Sequence, residues 1–329
     1  MTVLLTTHVA KADAASIAEA ARILTAGGLV AFPTETVYGV GADATEGRAV
    51  AQLYKAKGRP AFNPLIAHVA DFAAAKTLAR FNADAERLAA AFWPGPLTLV
   101  LPKTEACPVS GLATAGLDTI AVRVPDHQVT RAILMAFRRP IVAPSANRSG
   151  HVSPTTAEHV ETDLGDRIDL IVDGGATSIG LESTIVACLG EAQLLRPGSV
   201  PRAAIERALG RDLSDARATA AHGDETPLAP GMLASHYAPR TRLRLAATRV
   251  ERGDVLLAFG PQRIADSERA QMTLNLSPRG DLAEAAANLF AHLRSLDAVG
   301  GRTIAVMPIP HDGLGEAIND RLVRAAADR

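Results

Sequence analysis

Residues 29–65 read LVAFPTETVYGVGADATEGRAVAQLYKAKGRPAFNPL, and this stretch constrains the fold more than any other. A short apolar run, residues 29–32, predicts a strand. Pro33 breaks it into a small-residue loop that runs from Thr34 to Gly41. A helical pattern follows over residues 48–57, and the cations Lys55, Lys57 and Arg59 close on Pro60. A strand, a polar glycine-bearing turn and cations just past a helix make a place for a small polar or phosphorylated ligand. Taken alone, the segment is read equally well as a plain connection with solvated lysines.

The same alternation continues along the chain. Helices are predicted over residues 14–27, 83–92, 129–137 and 201–209, with Asp71 capping a further one. Strands are predicted over 65–69, 97–101, 119–124, 140–143 and 170–172, and a hairpin over 183–186 and 193–195. Trp93-Pro94-Gly95-Pro96 forms a rigid turn. After Gly210 the composition changes: residues 212–228 are Ala, Asp, Thr and His with little periodicity, the profile of a linker. Residues 229–239 differ, because they pack Met, His and Tyr between prolines. Strands at 255–259, 272–276 and 303–307 and helices at 281–296 and 315–327 then predict a small α/β unit with a parallel sheet. The expected division is residues 1–210, a linker at 211–240, and a second unit at 241–329.

Length and composition agree with this. The chain has 329 residues, 48% of them hydrophobic and only 4% aromatic, so aliphatic cores in one large or two medium domains are expected. The net charge of −1 argues against a dominant nucleic-acid or anionic-membrane partner. Cys107 and Cys188 have no metal-ligand spacing and are expected to be ordinary thiols in a reducing compartment. The first residues lack a signal-peptide pattern, and no apolar run approaches membrane-spanning length, so a soluble cytoplasmic protein is expected.

Three clusters carry candidate chemistry. Lys57, Arg59 and Arg196 stand at the ends of predicted elements, and together they suit a polyanion. Each alone is more often a solvated charge. Ser145 and Asn147 follow a strand and a proline, with hydroxyl and amide at alternate positions, although Ser and Asn also form simple turns. Arg123 lies in an apolar strand, an awkward place for a charge without a carboxylate partner. Thr34, Thr36, Tyr38, His68 and Thr119 offer neutral hydrogen bonds near it. Ser183 begins a strand after Glu182. No Walker A pattern, dinucleotide fingerprint or nucleophile–base pair is present, which favours chemistry by positioning and electrostatics.

In order, PTETVYGVGADA (33–44), KGRP and NPL (57–65), WPGPLTLVL (93–101), TIAVRVP (119–125), APSANRSG (143–150), SPTTAEHV (153–160), ESTIV (182–186), LLRPG (194–198) and APGMLASHYAP (229–239) resemble the L-threonylcarbamoyladenylate synthases. This is the YrdC-like family, in its longer two-domain form. GLGEAINDRLVRAA (313–326) resembles the end of the family's C-terminal domain. The resemblance implies an α/β fold with a twisted, open, mixed sheet and a concave cleft, plus a smaller Rossmann-like α/β domain. It implies synthesis of threonylcarbamoyl-AMP from L-threonine, bicarbonate or CO2 and ATP, with release of pyrophosphate, as the first step of tRNA threonylcarbamoylation. It places Lys57, Arg59, Ser145, Asn147 and Arg196 on ATP, with Lys57 and Arg59 also catalytic. Thr34, Tyr38, His68, Thr119, Arg123 and Ser183 fall on threonine, with Arg123 on its carboxylate. Mg2+ is implied on the ATP phosphates, and Pro230, His236 and Tyr237 are implied in a lid. Downstream threonylcarbamoyl-transfer proteins are implied partners, with direct tRNA contact left open. Two alternatives stand beside it: the carbamoyl-adenylate chemistry of hydrogenase maturation, and a double-stranded RNA-binding module.

Overall fold

The computed structural model describes residues 7–215, 229 and 236–327. The strands in chain order are β1 (His8–Lys11), β2 (Val30–Phe32), β3 (Gly39–Asp43), β4 (Ile66–His68), β5 (Leu97–Pro102), β6 (Thr119–Arg123), β7 (Ile141–Val142), β8 (Leu170–Asp173), β9 (Thr184–Ala187), β10 (Gln193–Arg196), β11 (Ser214–Asp215), β12 (Leu243–Arg244), β13 (Val255–Ala258), β14 (Thr273–Asn275) and β15 (Ile304–Val306). The helices are α1 (Ala14–Thr25), α2 (Gly47–Lys57), α3 (Phe72–Leu78), α4 (Ala83–Phe92), α5 (Gln128–Phe137), α6 (Ala157–Leu164), α7 (Arg202–Leu209), α8 (Leu282–Val299) and α9 (Leu314–Ala326).

Eleven strands form one mixed sheet in the order β1-β8-β2-β3-β7-β4-β6-β5-β9-β10-β11, and four form an all-parallel sheet in the order β12-β15-β13-β14. The predicted mixed α/β fold with a second, parallel unit is therefore present. The central strands read as continuous apolar runs because both faces are covered. Val30, Ala31 and Phe32 are all fully buried.

The opening stretch folds differently from its sequence reading in one respect. Residues 39–41, read as the end of the loop, form β3 together with residues 42–43, antiparallel to β2 with Val30 opposite Gly41. The glycines disguised the strand. Gly41 is required by packing: a Cβ there would sit 2.6 Å from the Phe32 ring. Helix α2 then ends on Gly58, which is left-handed at φ +62°. Lys57 is thus the last helical residue, where the helix dipole favours a cation, and Arg59 leaves at an angle. Helix α6, capped by Thr156, occupies what read as a polar stretch.

The two units meet through ion pairs. Arg294 of α8 lies 2.9 Å from Asp163 of α6, and Arg321 of α9 lies 2.8 Å from Glu182. Gly180, at φ +75°, lies against the α8 backbone, where a Cβ would meet Ala286 O at 2.6 Å. Among the described residues no helix is long and apolar enough to cross a membrane. Cys107 and Cys188 are free.

Candidate active site

Sheet register brings the site together. β4 and β6 are parallel, and His68 is paired with Arg123. Ser183 immediately precedes β9, and Arg196 ends its antiparallel neighbour β10. Ser145 follows β7, which pairs with β4 on its other side. Thr36 and Val37 come from the β2–β3 turn, and Arg59 from the end of α2. His236 and Tyr237 complete the wall.

Lys57 and Arg59 are buried, and their hydrogen bonds go to backbone carbonyls. Lys57 Nζ donates to Ser145 O at 2.5 Å and to Asn147 O. Arg59 donates from Nε to Asn63 O at 3.2 Å and from Nη2 to Pro64 O at 3.0 Å. Neither forms an ion pair among the described residues. Burial, then the nearby Arg59 charge, holds Lys57 well below the ordinary lysine range. Burial likewise pushes Arg59 down to about 10. Arg196 donates from Nε and Nη2 to Ser183 O, and from Nη2 to Ser183 Oγ at 3.2 Å. Ser183 Oγ also bonds Thr98 Oγ1 at 2.8 Å. Gly198 lets the turn after Arg196 lie on this segment, since a Cβ there would be 2.5 Å from Thr184 N. Several polar atoms in the same region are buried without a hydrogen-bond partner among the described residues: Asn63 Oδ1, Asn147 Oδ1, Thr119 Oγ1, His236 Nδ1 and the Tyr237 hydroxyl. Buried polar groups are normally satisfied, so such a group of orphans is what a site for a polar ligand would present.

Arg123 has the carboxylate its burial demands, but that carboxylate is Glu35. Nη2 donates to Glu35 Oε1 at 2.6 Å, Nη1 to Thr36 Oγ1 at 3.0 Å and Nε to Gly95 O at 3.3 Å. Burial pushes the Glu35 carboxyl up, and Arg123 more than offsets it, so Glu35 stays ionised. Glu35 escaped the sequence reading because an acid in a loop reads as solvated. Its one clue was the buried arginine that needed a partner.

The predicted threonine residues divide in space. His68 sits beside Arg123, bonds Ile66 O through Nδ1 at 3.2 Å, and is pushed down to about 3 by burial and then by Arg123, so it is neutral. Thr36 meets Arg123 directly. Thr34 instead ties its own turn: its hydroxyl donates to Val37 O at 2.6 Å and accepts from the amides of Thr36 and Val37. The Tyr38 hydroxyl donates to Gly175 O at 2.7 Å, and Tyr38 is not among the residues that line the cavity. Thr119 begins β6, about 13 Å from Arg123 at the usual strand rise. It precedes Ala121, the partner of Ile66, by two residues, which sets it toward the end where Arg59 bonds Pro64.

Of the lid residues, Pro230 lies outside the described residues. His236 and Tyr237 contact each other edge to face at 4.1 Å between centroids, and Tyr237 stacks on Phe290 of α8 at 5.7 Å. Burial lowers His236 to about 3 and raises Tyr237 to about 12. With the other wall residues they line a cavity of about 50 Å³. Glu182, absent from the sequence-based set, also lines it. Among the described residues no three His, Cys, Asp or Glu side chains converge as metal ligands. The cleft carboxylates Glu35 and Glu182 are each committed to an arginine. The donor set does not fit a divalent cation held by the protein.

Known proteins share this fold and this order of units. Residues 22–198 match the Sua5, YciO and YrdC family, described as "Telomere recombination". Residues 200–327 match a family described as "Threonylcarbamoyl-AMP synthase, C-terminal domain". A Bacillus subtilis threonylcarbamoyl-AMP synthase is 42% identical over 332 residues, 95% of this chain and 93% of that protein. A Pyrococcus abyssi protein of the same name is 42% identical over 328 residues, 94% of each. The crystal structure of P. abyssi Sua5 complexed with L-threonine superposes with a TM-score of 0.89 at 38% identity, covering 97% of this chain and 98% of that one. Escherichia coli YciO, at 21% identity and a TM-score of 0.53, shares the fold of 58% of the chain.

Proposed function

The chain belongs to the threonylcarbamoyl-AMP synthase family in its two-unit form, and from that premise we propose how its cleft works. The reaction joins L-threonine, CO2 or bicarbonate and ATP into threonylcarbamoyl-AMP and releases pyrophosphate. One observation carries the reading of the cleft: Lys57 and Arg59 are buried cations held by carbonyl oxygens. A buried charge without a counter-ion is unfavourable by several kcal/mol, on the order of a strong ligand contact. A triphosphate relieves that penalty and keeps Lys57 protonated.

The threonine end is Arg123, Thr36, His68 and Ser183, and the nucleotide end is Lys57, Arg59, Ser145, Asn147 and Arg196. Thr119 belongs with the nucleotide end, on its position in β6. Thr34 and Tyr38 hold the turn that carries Thr36. Three of the five Arg123 donors are engaged, and two remain for the threonine carboxylate. The substrate amine attacks the CO2 carbon and loses a proton, giving a carbamate. A carbamate oxygen then attacks the α-phosphorus, and pyrophosphate leaves. The protein positions two anions and stabilises the phosphate charge, with Lys57, Arg59 and Arg196 as the cations. Mg2+, implied by the family, travels with the ATP phosphates, and no step here is assigned to it.

His236 and Tyr237 act as the lid. A cavity of about 50 Å³ is far below the roughly 300–1,000 Å³ of sites for ligands of this size, so they swing out to admit ATP and close to exclude water from the carbamate. Residues 1–210 form the catalytic unit, 211–240 the linker and 241–329 the unit that anchors it. The free thiols suit a reducing cytoplasm. The adenylate passes to proteins that transfer the threonylcarbamoyl group to tRNA. The test is pyrophosphate release by the full chain with each substrate omitted in turn. Turnover without threonine, or only with carbamoyl phosphate, sinks the reading. So does an inert protein that binds double-stranded RNA.

A further inference from the structure

Helix α9 reaches into the catalytic unit through one side chain. Arg321 is fully buried. Its Nε donates to Glu182 Oε2 at 2.8 Å, its Nη2 to Pro197 O at 3.0 Å and its Nη1 to Asp320 Oδ2 at 2.7 Å. The guanidinium carbon lies 5.1 Å from the centre of the Tyr237 ring. Three of these four neighbours belong to the cleft or adjoin it: Glu182 precedes Ser183, Pro197 follows Arg196, and Tyr237 is a wall.

Glu182 is the difficulty this arrangement solves. It is a buried carboxylate on the wall of a cleft that takes a polyanion, close enough to Arg196 for each to act on the other's charge. Left alone it would repel phosphate and draw Arg196 away from Ser183. Two side chains hold it: Ser153 Oγ donates to Oε1 at 2.5 Å, and Arg321 donates to Oε2. Among the described residues Arg321 is its only ion-pair partner.

We propose that Arg321 is a positioning residue for the nucleotide: it neutralises and orients Glu182, keeps Arg196 on Ser183, and so lets the second α/β unit complete the electrostatics of the ATP end. The bond to Pro197 O pins the turn that carries Arg196, and the contact with Tyr237 sets the closed lid on the same point. This rests on reading the cleft as the ATP site. It gives the second unit a part in turnover beyond tethering a linker.

The experiment compares four full-length proteins: wild type, Glu182→Gln, Arg321→Met and the double variant. The readout is the KM for ATP and for threonine from pyrophosphate release. Arg321→Met is expected to raise the ATP KM about tenfold or more while the threonine KM stays within about twofold. Adding Glu182→Gln is expected to bring the ATP KM back to within about threefold of the Glu182→Gln single variant. A purely structural role would instead lower kcat with both KM values moving together, and removing the Glu182 charge would rescue nothing. An ATP KM unchanged within about twofold in Arg321→Met, or a double variant no better than Arg321→Met, overturns the proposal. If Arg321→Met does not fold, the double variant decides. Matching the Glu182→Gln ATP KM supports the proposal, and being about tenfold worse, or unfolded, overturns it. A wild type that releases no pyrophosphate with threonine and bicarbonate fails the functional reading instead, so the two failures are distinct.

Discussion

Mild acid should weaken the fold through His236, and the size of the effect follows from its surroundings. Its imidazole ordinarily titrates at 6.5. Burial lowers that to about 3, with Glu182 opposing and Arg59, Lys57 and Arg196 adding to the fall. The folded pKa lies below the unfolded one, so the unfolded chain binds the proton first. Stability is therefore full above pH 6.5 and is lost as the pH falls from there toward about 3. At about pH 5 the loss from this one group is about 2 kcal/mol. Urea unfolding followed through Trp93, the single tryptophan, measures it at about pH 7.5 and about pH 5. Glu35 and Glu182 are held below the ordinary carboxylate value and do not titrate in that window. His68 and His159 do contribute, being lowered to about 3 and about 4, so the comparison is between wild type and His236→Asn. The variant should show a pH-dependent loss smaller by about 2 kcal/mol. A variant whose loss matches wild type within about 0.5 kcal/mol would mean that His236 is not held neutral in this pocket.

Other perturbations separate the two ends of the cleft. Glu35→Gln leaves Arg123 buried without its counter-ion and should destabilise the protein by about 3–5 kcal/mol; adding Arg123→Met should recover most of that in the same urea titration. Lys57→Met should raise the ATP KM by about tenfold or more and leave threonine binding, measured by calorimetry, nearly unchanged. Thr36→Val removes the acceptor of a buried Arg123 N–H, so it should raise the threonine KM and lower stability by about 1–3 kcal/mol. Thr34→Val removes a hydroxyl that ties three backbone groups, so it should lower stability by about 1–2 kcal/mol and impair both substrates alike. Asp163 behaves oppositely to a surface acid: burial raises its pKa, but the Arg294 hydrogen bond and the nearby His151, 3.9 Å away, bring it down to about 2 from 3.8. Its contribution is present above pH 3.8 and lost as the pH falls through about 2, and Asp163→Asn should erase that limb of the acid titration.

Much of this protein is legible one residue after another. Apolar runs of strand length and helical periodicities report local backbone and burial, and they placed most of the elements and the parallel second sheet. They failed where glycine or short length hid a strand, as in Gly39–Asp43, because a strand buried under an aromatic ring excludes the side chains that advertise strands. The KGRP and RPG cations and the buried Arg123 were visible because charge in an apolar context demands an explanation. The identity of the partner was not visible. Glu35 for Arg123, Thr36 over Thr34, Thr119 at the far end of β6, and Arg321 reaching Glu182 across 139 positions of sequence were decided by register and by packing between the two units. Sequence determines how strongly a group must be satisfied, since that depends on its own desolvation. Only the tertiary structure decides what satisfies it, since hydrogen bonds and ion pairs are made through space.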